Sequence, residues 1–213
     1  MHIDFVSDIA CPWCAVGLNA LERALEELSG EIEPTLAFQP FELNPAMPAE
    51  GADTVAYLGA KYGIGPEQIR RNQAAIRERG EAVGFSFGER TRVWNTFDAH
   101  RLLHWAGVEG QAGAQRALKH ALLRAYHGEG RNPSDREVLL ECAQQAGLDP
   151  ARAAEVLQDD AFAQEVRQAE AFWQQAGISS VPSIVVDRRH LIQGGQPPEV
   201  FVQALRRIAA PAA

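Results

Sequence analysis

Ile3-Asp-Phe-Val-Ser-Asp-Ile-Ala-Cys11-Pro-Trp-Cys14-Ala-Val-Gly-Leu18 joins a short alternating apolar run to an amphipathic stretch, with two cysteines two residues apart at the handover. A CxxC at the point where a strand passes into a helix reads as a redox motif. At the helix N-terminus, Cys11 meets unpaired backbone N–H groups and the positive end of the macrodipole, which favour thiolate over thiol. Cys14, one turn further in, is shielded and fits the role of the resolving thiol that displaces a mixed disulfide from Cys11. Pro12 has no N–H to lose and a φ that is already helical, so it suits the first turn. The competing reading of a CxxC is half of a structural zinc site. That site needs four ligands, and the chain offers one further cysteine, Cys142, with no second CxxC and no HxxxH beside a cysteine, so no metal is expected.

Working outward, residues 2–6 read as a strand with Ile3 and Phe5 on one face. Residues 11–29 read as a helix, with Val16, Leu18, Leu21, Leu25 and Leu28 at helical spacing and Gly30 as its stop. Glu33–Phe38 reads as a second strand, which the right-handed crossover rule makes parallel to the first. Three prolines in Gln39–Pro48 mark a loop leaving the sheet. From there to Ala176 the pattern is helical, with helices expected at Thr54–Tyr62, Pro66–Val83, Asn95–Ala106, Gln111–Tyr126, Ser134–Ala146, Pro150–Leu157 and Asp160–Gln175. Ser134 and Glu137 fit a capping box, and Asp149-Pro150 an N-cap followed by a first-turn proline. Ser183–Asp187 and His190–Gln193 then form a hairpin through Arg188-Arg189. A last helix opens at Pro197-Pro198, and Ala209–Ala213 is a frayed tail. The element order is βαβ…αββα around a large all-helical insertion. It defines an α/β protein with a thioredoxin-like core at 1–48 and 160–213 and an insertion domain at 49–159 packed on it.

The 213 residues are 46% apolar and 23% charged, ordinary for a globular chain able to bury a full core. Twenty Lys and Arg against 28 Asp and Glu give a net charge of −8, which argues against nucleic acid as a partner. No apolar run approaches the ~20 residues that span a bilayer, so no membrane partner is expected. The N-terminus enters a strand at once, with no basic and apolar leader, so the expected location is cytoplasmic, where a cysteine pair cycles more readily than it staples.

Four stretches carry a resemblance: Ser7–Gly17 (SDIACPWCAVG), Phe41–Pro45 (FELNP), Asn95–Leu102 (NTFDAHRL) and Gly177–Ser183 (GISSVPS). Through them nearly the whole chain resembles the DsbA-like thioredoxin-fold oxidoreductases, and within them the cytosolic FrnE-like branch. The resemblance implies a thiol-disulfide oxidoreductase with Cys11 as nucleophile and Cys14 as resolving cysteine. It further implies a cis-proline at Pro182 facing the sulfurs, with Val181 offering its backbone to an incoming peptide. Substrates would be protein or small-molecule thiols and disulfides. No cofactor is expected beyond the redox-active pair itself, with glutathione as a possible reductant, and the protein would be a monomer or homodimer. The chain departs from the family's pattern at Ala125–Asn132 and Gly194–Gln196, which bear on the cleft rim, and it lacks the second cysteine pair of some members. Trp13 brings no positive charge to Cys11, which predicts a less oxidising couple than the about −120 mV of periplasmic DsbA.

Several further residues have alternative roles. Trp13 reads as a substrate contact or lid, or as an aromatic packed on the insertion. Asp8 reads as a turn cap, a partner for loop N–H groups, or a proton shuttle to the resolving thiol. His100 and His104, one turn apart, read as a packing or cleft-lining pair. Arg90, Arg92 and Trp94 read as a polar rim, and Cys142 as buried and inert. The alternative activity is a glutathione-dependent isomerase or transferase similar to 2-hydroxychromene-2-carboxylate isomerase and the kappa-class glutathione transferases. Those proteins typically carry serine at the first active position, where this chain has Cys11. A chaperone-like holdase is a third reading.

Overall fold

The computed structural model describes residues 1–210, so the tail expected at Ala209–Ala213 lies mostly outside the described residues. The chain opens with β1 (His2–Ser7), α1 (Pro12–Glu27) and β2 (Thr35–Pro40). The insertion follows as β3 (Ala52–Asp53), α2 (Thr54–Tyr62), α3 (Pro66–Ala82), β4 (Arg92–Val93), α4 (Phe97–Val108), α5 (Ala114–Leu123), α6 (Arg136–Gln145) and α7 (Pro150–Gln158). The chain returns through α8 (Ala163–Gln175), β5 (Ser183–Val186), β6 (His190–Gln193) and α9 (Pro198–Ala209). β1 is internal in a sheet of order β2-β1-β5-β6, parallel to β2 and antiparallel to β5, and β6 pairs antiparallel with β5. This is the thioredoxin-like arrangement that the element order implies.

Both faces of β1 are covered, so its apolar and polar residues are buried alike. Ile3 and Phe5 join Leu18 and Leu21 of α1 and Phe201 and Leu205 of α9 in one apolar cluster, with Phe5 edge-on to Phe38 at 5.9 Å. Val6 and Val185 turn the other way, onto Trp173 of α8. Asp4, on that second side, accepts from Gln39 Nε2 at 2.7 Å. The first cluster continues without a break into the insertion, through Leu102 of α4, Leu118 and Leu122 of α5, and Tyr126 just beyond it. Besides its helices the insertion holds the short antiparallel pairing of β3 with β4, in which Ala52 faces Val93.

Local departures from the sequence reading have local causes. α6 is capped by Asp135, whose carboxylate accepts from Glu137 N–H at 2.8 Å; Ser134 instead spends its hydroxyl on the Asn95 carbonyl, so the capping box does not form. α8 starts at Ala163 because Phe162 takes a left-handed φ of 60°. The hairpin turns on Asp187 and Arg188, both at positive φ, one residue earlier than read. Finally, α5 does not run on to Tyr126 as an α-helix: Arg124–Gly128 form a wide π-helical turn. That turn lies against Gly88, where an added Cβ would fall 2.1 Å from the Gly128 carbonyl oxygen.

Candidate active site

The loop Asp8–Ala10 passes β1 into α1 and places the two sulfurs in different surroundings. Cys11 is the N-cap residue, extended at φ −89° and ψ 113°, with Pro12 opening the helix. Its N–H donates to the Asp8 carbonyl at 3.2 Å, and the Cys14 N–H donates to the Cys11 carbonyl at 3.0 Å. All three cysteines are free. Cys11 is 5% exposed and Cys14 0%. A hydrogen bond from the Cys14 thiol and the N–H groups of Cys14 and Trp13 hold the Cys11 thiol below its ordinary value, against burial and the charge of Asp8. Burial first, and the adjacent Cys11 sulfur second, push Cys14 well above its ordinary value.

Opposite the sulfurs, the Val181–Pro182 peptide is cis, and the Cys11 Sγ lies 3.5 Å from the Val181 carbonyl oxygen. The Gly194 N–H donates to the Pro182 carbonyl at 2.8 Å. α1 can approach this loop because position 17 has no side chain: a Cβ at Gly17 would sit 2.9 Å from Pro182 Cγ and 3.2 Å from Gly195 Cα. Trp13 projects from the first turn of α1 and is 37% exposed.

Beneath Cys11, Asp8 is 1% exposed. Its Oδ1 accepts from the Ala10 N–H at 3.0 Å and the Thr96 hydroxyl at 2.7 Å, and its Oδ2 from the Leu43 N–H at 2.7 Å. His100 Nε2 lies 3.4 Å from Oδ1. Burial acts to raise the carboxyl, but His100 and the two N–H groups outweigh it and hold it below the usual carboxylate range. The Asp8 carboxylate thus binds an N–H group of its own loop and fastens that loop to the Phe41–Pro45 segment, to Thr96 and to His100 of α4. The next two carbonyls are held as well. His127, pushed well below its ordinary value by burial and so neutral, donates from Nε2 to Ile9 at 2.8 Å. Arg90 donates to Ala10 at 3.0 Å while lying over the Tyr126 ring.

Lys119 of α5 is 1% exposed. It faces a small void with Gln39, Pro40 and His100. Burial lowers its pKa to about 8, against the charges of Cys14, Asp8 and Cys11. Sequence reasoning did not find Lys119, Thr96 or His127. A signal existed for Lys119: it is one of only two lysines in the chain, and it lies on the helical face of Leu122 and Tyr126.

The other residues singled out in the sequence separate. His100 turns to Asp8, whereas His104 packs against Phe162 at 5.6 Å. Arg92 stacks over Trp94 at 5.1 Å and donates to the Glu50 and Gly51 carbonyls, bracing a loop. Cys142 is 1% exposed, and burial pushes its thiol up to about 11. Among the described residues no group of three or more His, Cys, Asp or Glu is arranged to hold a metal, and no helix is long and apolar enough to cross a membrane. A cleft of about 640 Å³ opens beside Pro12, walled by α3 and the Phe87–Thr91 segment.

Among the solved structures that share this fold are the following three. A probable DsbA oxidoreductase from Streptomyces coelicolor is 36% identical, with a TM-score of 0.90 over 100% of this chain and 93% of its own. The cytosolic disulfide reductase DsbM from Pseudomonas aeruginosa, solved with GSH, is 19% identical, with a TM-score of 0.66 over 98% of both chains. A 2-hydroxychromene-2-carboxylate isomerase is 16% identical, with a TM-score of 0.70 over 98% of this chain and 96% of its own. The last two likenesses are of fold alone. The family described as the DSBA-like thioredoxin domain matches residues 2–206, and with the buried cysteine pair at the head of α1 and the cis-proline opposite it, the chain belongs to the DSBA-like thioredoxin family.

Proposed function

We propose that the protein is a dithiol–disulfide oxidoreductase working through a mixed disulfide on Cys11. The observation that carries this reading is the inequality of the two sulfurs: Cys11 at the helix N-cap with a lowered thiol, Cys14 wholly buried with a raised one. The Cys11 thiolate attacks one sulfur of a substrate disulfide, forming a Cys11–substrate disulfide and releasing the other half as thiolate, which takes up a proton. Cys14 then loses its proton and attacks Cys11 Sγ, closing the Cys11–Cys14 disulfide and releasing the second half as a thiol. Two electrons pass to the substrate, and two equivalents of a low-molecular-weight thiol, with glutathione as our choice, return the pair to the dithiol. Val181 and Pro182 support the incoming chain opposite the sulfur. Trp13 contributes an apolar contact beside it. Asp8 fixes the loop that carries Cys11, and its charge opposes the thiolate, keeping the thiol from falling further.

Substrates in this reading are protein or small-molecule disulfides in a reducing compartment. The DsbM neighbour, a cytosolic reductase solved with GSH, is consistent with that choice. The isomerase neighbour shares the fold, but two cysteines rather than a lone activating group favour redox chemistry. The test is reduction of insulin by wild type, Cys11→Ser and Cys14→Ser. Activity in wild type, none in Cys11→Ser, and a trapped covalent adduct on Cys14→Ser are expected. Equal inertness of all three proteins would overturn the assignment and make glutathione-dependent isomerisation the activity to assay.

A further inference from the structure

The cleft beside Pro12 has a wall that the chemistry at sulfur does not use. Arg70, Gln73 and Arg77 lie at three- and four-residue spacing on one face of α3 and line the cleft with Ile76 and Phe87. Neither Arg70 nor Arg77 has a hydrogen bond or ion pair among the described residues. Their neighbours on the same helix are engaged: Arg71 approaches Glu67 at 3.9 Å, and Arg79 donates to the Gly195 carbonyl at 3.5 Å. Unpaired cations facing a concavity in a chain of net charge −8 are a local reversal of sign. The lining holds three cations, Arg70, Arg77 and Arg90, against two acids, and neither acid pairs with Arg70 or Arg77 among the described residues. Asp53 spends its carboxylate on the N-terminus of α2, at 2.8 Å from the Ala56 N–H, and Glu89 makes no ion pair with either arginine among the described residues. Arg90, the third cation of the lining, is bonded to Ala10 at 3.0 Å, in the loop that precedes Cys11. The cationic wall is thereby joined to the site of attack.

Resting on the oxidoreductase reading, we infer that this cleft binds the non-sulfur part of the disulfide partner, and that Arg70 and Arg77 select a partner carrying carboxylates within a residue or two of the attacked sulfur. The apolar strip of Ile76 and Phe87 takes the partner's aliphatic portion. Arginine suits the task because its planar fork binds a carboxylate through two parallel hydrogen bonds. Carboxylates in that position belong to acidic polypeptides and to the glutathione tripeptide alike.

The experiment compares four disulfides with full-length protein: a peptide disulfide with Asp on both sides of the cysteine, the same peptide with Asn, glutathione disulfide, and hydroxyethyl disulfide, which is neutral and offers the arginines no carboxylate. Wild type is expected to prefer the Asp peptide over the Asn peptide by about tenfold in kcat/KM, the scale of two charge-assisted contacts near a surface. That preference is expected to collapse in Arg70→Gln/Arg77→Gln, to persist in Arg71→Gln, and to shrink in ~1 M salt. Hydroxyethyl disulfide is expected to react equally with all variants. Arginine dependence of the Asp peptide alone identifies an acidic polypeptide as the source, and of glutathione disulfide alone the tripeptide; either upholds the inference. Unchanged reduction of both the Asp peptide and glutathione disulfide in the double variant overturns it while leaving the redox reading intact. Failure of wild type to reduce hydroxyethyl disulfide any faster than Cys11→Ser overturns both.

Discussion

Replacing Lys119 by methionine removes an ammonium group and keeps an unbranched stem that fills the same space. The lysine is 1% exposed, and burial takes its pKa from 10.5 to about 8. At pH 7 it is charged in folded and unfolded chains alike, and the folded chain holds that charge at a cost. The difference, 10.5 − 8 or about 2.5 units at about 1.4 kcal/mol each, amounts to about 3.5 kcal/mol that Lys119→Met recovers. The cost is fully present below the folded pKa of about 8 and fades as pH rises toward the unfolded value, above which both states are neutral. Urea unfolding at pH 7 should therefore show a midpoint raised by about 1.7 M, taking about 2 kcal/mol/M as the slope, with the gain nearly gone near pH 10.5. Function moves the other way. The ammonium favours the Cys14 thiolate, so the stabler variant should resolve its mixed disulfide severalfold more slowly, read as the lifetime of a Cys11 adduct after rapid mixing. A lowered urea midpoint at pH 7, or a gain equally large at pH 7 and pH 10.5, would refute the view that this lysine is kept at the expense of stability.

Asp8→Asn replaces an acceptor-only carboxylate with a group whose NH₂ must face a donor, and should cost about 2–3 kcal/mol at pH 7. Because the folded pKa of Asp8 is depressed, its contribution is present above about pH 4 and lost as pH falls through the folded value, so urea midpoints of variant and wild type should converge in acid. The same variant lifts the charge that opposes the Cys11 thiolate, and thiolate absorbance should titrate at lower pH than in wild type. Gly17→Ala pushes a methyl group to 2.9 Å from Pro182 Cγ. It should destabilise by about 1–3 kcal/mol in thermal unfolding and slow attack by Cys11, since the cis-proline loop is the part that must give. Equilibration of the Cys11–Cys14 pair with glutathione should place its potential below the about −120 mV of DsbA, and a value at or above that figure would count against the role given to Trp13.

The parts legible in the sequence are those set by near neighbours along the chain. Cys11-Pro12-Trp13-Cys14 at a strand-to-helix handover depends on residues within one turn of each other, as do the Asp149 cap and the leucine spacing of α1. The ring of groups around the loop was not legible because its members come from far along the chain: Leu43 from the segment after β2, Thr96 from the position just before α4, His100 from α4, Lys119 from α5. Their positions follow from how α4 and α5 pack on β2, which no local pattern encodes. Ser134 and Asp135 are equally good caps on paper, and only the Asn95 carbonyl waiting for the serine hydroxyl decides between them. Asp8 lay between these extremes, since its bond to Ala10 is local and its bonds to Leu43 and Thr96 are not.

The wide turn at Arg124–Gly128 makes the chain's length at that point count. In a regular helix consecutive side chains point about 100° apart, yet Tyr126 and His127 are both buried, their rings 4.6 Å apart. The tyrosine hydroxyl donates to Arg92 of β4, and the imidazole to Ile9 in the loop ahead of Cys11. Both anchors are carried by the wide turn itself. Removing a single residue between Arg124 and Gly128 would let the helix close to its ordinary pitch with its direction nearly unchanged, and one of the two anchors would be lost. A length change in an exposed turn between helices leaves such anchors in place, whereas here the residue count itself is part of the support of the cysteine pair.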